Sequence, residues 1–94
     1  MVRILIERWL APGTEERFHA AMRDMRRSAI HVPGYISGET LRDAEDPRHV
    51  VVISTWSSRP GWDAWVVSQA RQDARTRIAP LLAAPEKVTV LEPA

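Results

Sequence analysis

The sequence has no cysteine, one lysine, one phenylalanine, one tyrosine and four glycines among its 94 residues, and these shortages exclude several classes of function. Without cysteine there is no disulfide scaffold, no thiolate zinc site and no thiol nucleophile. The glycines, Gly13, Gly34, Gly38 and Gly61, are too scattered to form a phosphate-cradling loop. The N-terminal run MVRILIERWL is interrupted by Arg3, Glu7 and Arg8, so it reads neither as a signal peptide nor as a membrane span. No membrane partner is expected, and the expected location is the cytoplasm. Neither charge sign is in excess: thirteen basic residues face twelve acidic ones, a net charge of +1, which argues against bulk attraction to a nucleic acid. His19, His31 and His49 have no metal-ligand spacing, so no metal site is expected.

What remains is a short chain of 45% apolar residues, read as one domain over residues 1–94. Twelve of the apolar residues are alanine, so the core of large side chains is thin and a second subunit is expected to help cover it. Four of the six aromatic residues are tryptophans, Trp9, Trp56, Trp62 and Trp65, and twelve of the thirteen bases are arginine.

Val2 to Leu10 alternates, with Val2, Ile4 and Ile6 on one side, and reads as a strand that Pro12-Gly13 ends. Thr14 is a suitable helix cap, and Glu15 and Glu16 complement the dipole of the helix that follows. Phe18, Ala21, Met22, Met25 and Ala29 form its apolar stripe, which stops before Pro33-Gly34. Tyr35 to Arg42 is a second strand, in which Gly38 marks a bulge or a close backbone approach. After the turn Asp43 to Pro47, the run HVVVISTW (49–56) is apolar on both faces and reads as a central strand covered on both sides. Ser57 to Pro60 opens a second helix. Ser68 can recap it, Ala70, Ala74, Ile78, Leu81 and Leu82 continue its stripe, and Pro80 kinks it or splits off its last turn. Lys87 to Leu91 is a final strand.

The order β-α-β-β-α-β predicts an α+β, ferredoxin-like fold: an antiparallel four-stranded sheet with its helices on one face. The other face then needs a cover, and the doubly apolar 49–56 strand points to the sheet of a second copy, a homodimer joined through its sheet faces. RNA-binding domains of this topology stack bases on exposed aromatics. Here the corresponding strand offers Val50, Val51, Val52 and Ile53, so no nucleic-acid partner is expected. The segment Gly34-Tyr35-Ile36-Ser37-Gly38 lacks the spacing and the strand-to-helix turn of a hydrolase nucleophile.

Trp56, Trp62 and Trp65 fall within ten residues, at the junction of the central strand and the second helix. Each brings a large apolar area and an N–H that wants a partner. Beside Ser54, Thr55, Arg71 and Arg75 they either wall a flat, partly polar pocket or simply fill the space between helix and sheet.

The runs Pro33-Gly34-Tyr35-Ile36-Ser37-Gly38-Glu39-Thr40-Leu41, Val51-Val52-Ile53-Ser54-Thr55-Trp56 and Trp62-Asp63-Ala64-Trp65, closing with Leu81-Leu82 and Pro85, resemble the antibiotic biosynthesis monooxygenase domain family of dimeric α/β barrels. The resemblance extends from the first strand to Leu91. It implies a sheet-to-sheet homodimer that either oxidises a small electron-rich aromatic of phenol or quinol type with O2 and no cofactor, or degrades haem. Carried over, the haem branch's tryptophan falls on Trp65, its iron ligand near Arg75 and its asparagine near Ile6 or Glu7. Arginine cannot ligate iron, so haem degradation, with His31 or His49 as the ligand, is the less favoured alternative and the cofactor-free branch is the expectation. It assigns Trp65 and Arg75 to catalysis, with Arg75 on the oxyanion. Trp56, Trp62, Tyr35 and Ser37 bind substrate, and His49 is a candidate base on its intrinsic pKa. A binding module with the same pocket and no chemistry, and a structural partner with a filled core, stay open beside it.

Overall fold

A computed structural model describes all 94 residues. Strand β1 (Val2–Trp9) leads through Gly13, whose φ of +77° needs a residue without Cβ, into helix α1 (Glu15–Ala29). Strands β2 (Tyr35–Arg42) and β3 (His49–Trp56) form a hairpin; helices α2 (Arg59–Val66) and α3 (Gln69–Ile78), a 3₁₀ turn (Ala79–Leu81) and strand β4 (Lys87–Leu91) complete the chain. The sheet order is β2-β3-β1-β4 with every neighbour antiparallel, which is the ferredoxin-like α+β arrangement expected from the sequence.

Alternation along the two central strands decides what is inside. Val2, Ile4, Ile6 and Arg8 of β1 and Val50, Val52, Ser54 and Trp56 of β3 lie buried beneath the helices, against Phe18, Ala21, Met22 and Ala29 of α1. On the opposite face Leu5, Val51 and Ile53 are only half-buried, and Leu41 and Leu91 are exposed. Within one chain β3 is therefore covered on one side.

Two local features differ from expectation, the cap of α1 and the buried side of α3. Thr14 stands at the start of α1, but its hydroxyl is directed to the carbonyls of Ala11 (2.7 Å) and Leu81 (3.0 Å) as donor and accepts no bond from a helix N–H. The second helix breaks completely at Ser68, whose Oγ accepts from Arg71 N (3.2 Å) and donates to the Trp65 carbonyl (2.7 Å). That break re-aims α3: its buried residues are Arg71 and Ile78, while Ala70 is exposed. Pro80 lies in the 3₁₀ turn, as its missing N–H requires.

Candidate functional site

The hairpin register brings Tyr35 opposite Trp56 and then steps to Ser37 opposite Thr55, leaving Ile36 as an extra residue, a bulge that turns Tyr35 toward the helices. Its ring lies back over the strand, and a Cβ on Gly38 would stand 2.6 Å from the phenol oxygen. Gly38 thus supplies the close approach its sequence context predicted, and only glycine leaves the ring that position. Tyr35 meets the edge of Trp56 at 5.4 Å. Trp56 meets Trp62 edge-on at 5.7 Å and lies roughly parallel to Trp65 at 6.4 Å. The Trp56 indole N–H donates to Ser54 Oγ at 3.1 Å, which satisfies the one polar atom of a fully buried ring.

These four rings line a cavity between helices and sheet. Met22, Met25, Arg26 and Ala29 of α1, Gly38, Ile6, Val52, Ser54 and Arg71 complete its wall. The enclosed space is about 50 Å³. A cavity of about 150 Å³ holds a benzene ring, so an aromatic ligand enters only as lining side chains move. The part-exposed ones are Met25, Arg26 and Tyr35, and they form the mouth. Arg26 reaches across it to donate to Thr40 Oγ1 at 3.1 Å.

At its inner end the cavity meets a buried ionic cluster. Arg8, fully buried, donates through Nε to Glu86 Oε2 at 2.8 Å, and Arg71, 3% exposed, donates through Nη2 to Glu86 Oε1 at 3.0 Å. Arg8 also lies 5.8 Å from the centre of the Phe18 ring and 3.5 Å from Met22 Sδ. Burial holds both guanidinium groups below their ordinary pKa, with the Glu86 charge opposing the shift. Burial also acts to raise the Glu86 carboxyl. The charges and hydrogen bonds of Arg8 and Arg71 outweigh it and leave that carboxyl below the usual carboxylate range. Arg8 Nη2 and Arg71 Nη1 are buried and have no hydrogen-bond acceptor.

Of the residues expected at the site, Trp56, Trp62, Trp65 and Tyr35 converge on one cavity. Ser37 does not: the bulge places it on the open sheet face opposite Thr55, where it is exposed. Arg75 also lies outside, because the restart of the helix at Ser68 turns it toward solvent. It is half-exposed, 3.4 Å from Glu86, in an outer groove that Arg71 and Trp62 separate from the cavity. His49 is on the open face, stacked on Trp9 at 4.9 Å and 3.1 Å from Asp43. Arg8 and Glu86 were not singled out from the sequence. The signal for Arg8 was the inward series Val2, Ile4, Ile6, of which it is the next member; Glu86, beyond Pro85, gave none.

The sequence profile described as antibiotic biosynthesis monooxygenase matches residues 1–77. The fold recurs in a candidate antibiotic biosynthesis monooxygenase from Nitrosomonas europaea, 22% identical, TM-score 0.89, with 99% of this chain and 98% of that chain covered. It recurs in a conserved protein from Methanosarcina mazei Go1, 12% identical, TM-score 0.94, covering 99% and 92%. It recurs again in a mutant of SnoaB, a cofactor-independent oxygenase from Streptomyces nogalater, 13% identical, TM-score 0.87, covering 98% and 91%. No curated protein matches the sequence. At these identities the structural likenesses speak for the fold, and the profile match over most of the chain speaks for the family: this protein belongs to the antibiotic biosynthesis monooxygenase family.

Proposed function

We propose that this protein is a small monooxygenase that oxidises an electron-rich aromatic of phenol or quinol type with O2 and no cofactor, acting as a cytoplasmic homodimer. The observation that carries the reading is the convergence of Trp56, Trp62, Trp65 and Tyr35 on one cavity in a chain of this family. A likeness in fold to SnoaB, a cofactor-independent oxygenase, agrees with it. The aromatic walls orient a flat substrate, and the buried surroundings keep water from its reactive carbon.

In the proposed reaction the substrate first loses its phenolic proton. Its anion passes one electron to O2, and the two radicals recombine into a C–O bond. The resulting peroxide anion takes back a proton, and the hydroperoxide loses water together with the hydrogen of the attacked carbon to leave a quinone; one oxygen atom enters the product, the other leaves as water, and the substrate supplies all four electrons. No histidine or carboxylate lines the cavity. Two guanidinium groups do, Arg26 at the exposed mouth and Arg71 in the interior, and the buried Arg71 takes the role expected of Arg75: a fixed positive charge that favours the substrate anion. Trp65, buried, forms part of the cavity wall.

The dimer reading rests on the open sheet face, where half-buried Leu5, Val51 and Ile53 are flanked by exposed Leu41 and Leu91. Oxygen uptake with a panel of hydroquinols tests the activity. Turnover above the buffer rate that falls on Trp65→Phe is expected; turnover untouched by both Trp65→Phe and Arg71→Gln overturns the site. The lack of a side-chain base favours one second reading, a dimeric module that binds an aromatic without chemistry. That reading predicts saturable binding with no oxygen consumption.

A further inference from the structure

Two guanidinium groups lie in the interior of this protein against one carboxylate. Arg8 and Arg71 share Glu86, which leaves one positive charge without a counter-charge and two buried N–H donors, Arg8 Nη2 and Arg71 Nη1, without acceptors. An unpaired buried charge is among the most costly features an interior can carry. The nearest further charge, Arg75, is also positive and stands 3.4 Å from the same carboxylate, so it deepens the imbalance. Arg71 lines the tryptophan cavity, and no acidic side chain does.

We propose that the ligand of this cavity enters as an anion: a flat aromatic bearing a charged oxygen, carboxylate or ionised phenol, that pairs with Nη1 of Arg71. The inference rests on the reading of the cavity as an aromatic site and adds the charge state of its occupant. Arg71 is held for the task, since Nη2 is tied to Glu86 and the backbone N–H to Ser68, leaving Nη1 as the free arm. Arg8 makes no contact with the cavity; its charge adds to the local field, and its bond to the second Glu86 oxygen stops that carboxylate from turning fully to Arg71. The ligand oxygen then supplies the counter-charge the fold lacks, and a neutral ring of the same shape does not.

The test is calorimetric titration of the full chain near neutral pH with benzoate and benzamide, which share a ring and differ in charge. Benzoate is expected to bind about tenfold tighter or more, the scale of one charge-assisted hydrogen bond in a buried site. Arg71→Gln brings the ratio to near one by weakening benzoate alone, Arg71→Lys keeps part of the preference, and Arg77→Gln, which removes an exposed charge from the same helix, leaves it intact. Titrating 4-cyanophenol below and above its own pKa separates the two oxygens: affinity that rises with ionisation adds the phenolate, and a preference confined to benzoate assigns the carboxylate. Equal binding of benzoate and benzamide overturns the proposal and leaves the aromatic site standing; binding of neither overturns both. The wild-type ratio alone decides if the Arg71 variants do not fold.

Discussion

Glu86 accepts from Arg8 at 2.8 Å and from Arg71 at 3.0 Å, so removing its charge leaves both guanidinium groups with no opposing charge inside the fold. Breaking a buried pair from one side costs about 3–5 kcal/mol, and here two pairs share the lost partner. Glu86→Gln is therefore expected to lower Tm by more than about 10 °C in a domain of this size, measured by thermal unfolding. The sign with pH follows from the direction of its shift. The folded carboxyl titrates below its unfolded value of about 4.3, so its contribution is complete above that pH and is lost as pH falls through the lower, folded value. Wild type is expected to lose stability more steeply than Glu86→Gln on acidification below about pH 4.5; parallel curves would show that Glu86 carries no such linkage. Gly38 governs the other end of the cavity. Gly38→Ala drives a methyl against the Tyr35 hydroxyl, 2.6 Å away, and that hydroxyl is the free end of a side chain that can swing. The expected result is little change in Tm, because alanine suits a strand better than glycine, with a several-fold change in aromatic affinity as the ring leaves the mouth. These residues also mark the limit of sequence reasoning. The tryptophans were legible because three large rings at one junction have few places to go. The ionic cluster was not, because Arg8 and Glu86 are 78 positions apart and alternation gives the direction of a side chain without its partner.

At the scale of the element, the break between α2 and α3 decides which arginine faces the cavity. Ser68 closes one helix by donating to the Trp65 carbonyl and opens the next by accepting from Arg71 N, so one hydroxyl fixes the angle between a cavity tryptophan and the cavity cation. Ser68→Ala is expected to cost about 1 kcal/mol, the usual value of an N-cap, and about 4–8 °C in Tm. Its larger effect is expected on ligand preference, since Arg71 loses an anchor on its backbone while Glu86 still holds its side chain. The benzoate-to-benzamide ratio should fall without reaching one; an unchanged ratio would mean that Glu86 alone sets the orientation. The sequence marked Ser68 as a recapping position and Pro80 as a break, and both are so. It placed Arg75 on the oxyanion by carry-over from the family resemblance, and the restart of the helix at Ser68 brings Arg71 to the cavity in its place. For the same reason the stripe drawn through Ala70 and Ala74 does not describe the buried side of α3, which carries Arg71 and Ile78.

At the scale of the whole molecule, helices cover one face of the sheet and leave the other open. Ile53 stands in the middle of that face, paired across the strands with Leu5 on one side and Glu39 on the other, with Thr89 beyond Leu5. Leu41 and Val51 form the next rung, and the stacked Trp9 and His49 with Asp43 and Glu7 give the patch a polar edge. An apolar centre inside a polar rim is the anatomy of an interface. The proposed dimer makes a sharp prediction at Ile53. In a single chain Ile53→Asp places a charge on a water-facing strand, where it costs little beyond β-propensity. In a sheet-to-sheet dimer the same charge is taken out of water at the centre of the interface, a cost of several kcal/mol felt twice per dimer by symmetry. Wild type is therefore expected to sediment at twice the chain mass at micromolar concentration. Ile53→Asp should sediment at the chain mass, with its far-ultraviolet circular dichroism and its benzoate binding retained, because the cavity is built from the opposite face of the sheet. A wild type that sediments as a monomer would remove the dimer. A variant that loses benzoate binding along with dimerisation would show that the cavity depends on the pairing of the two sheets, through β3, the strand that carries Ile53 on one face and Trp56 on the other.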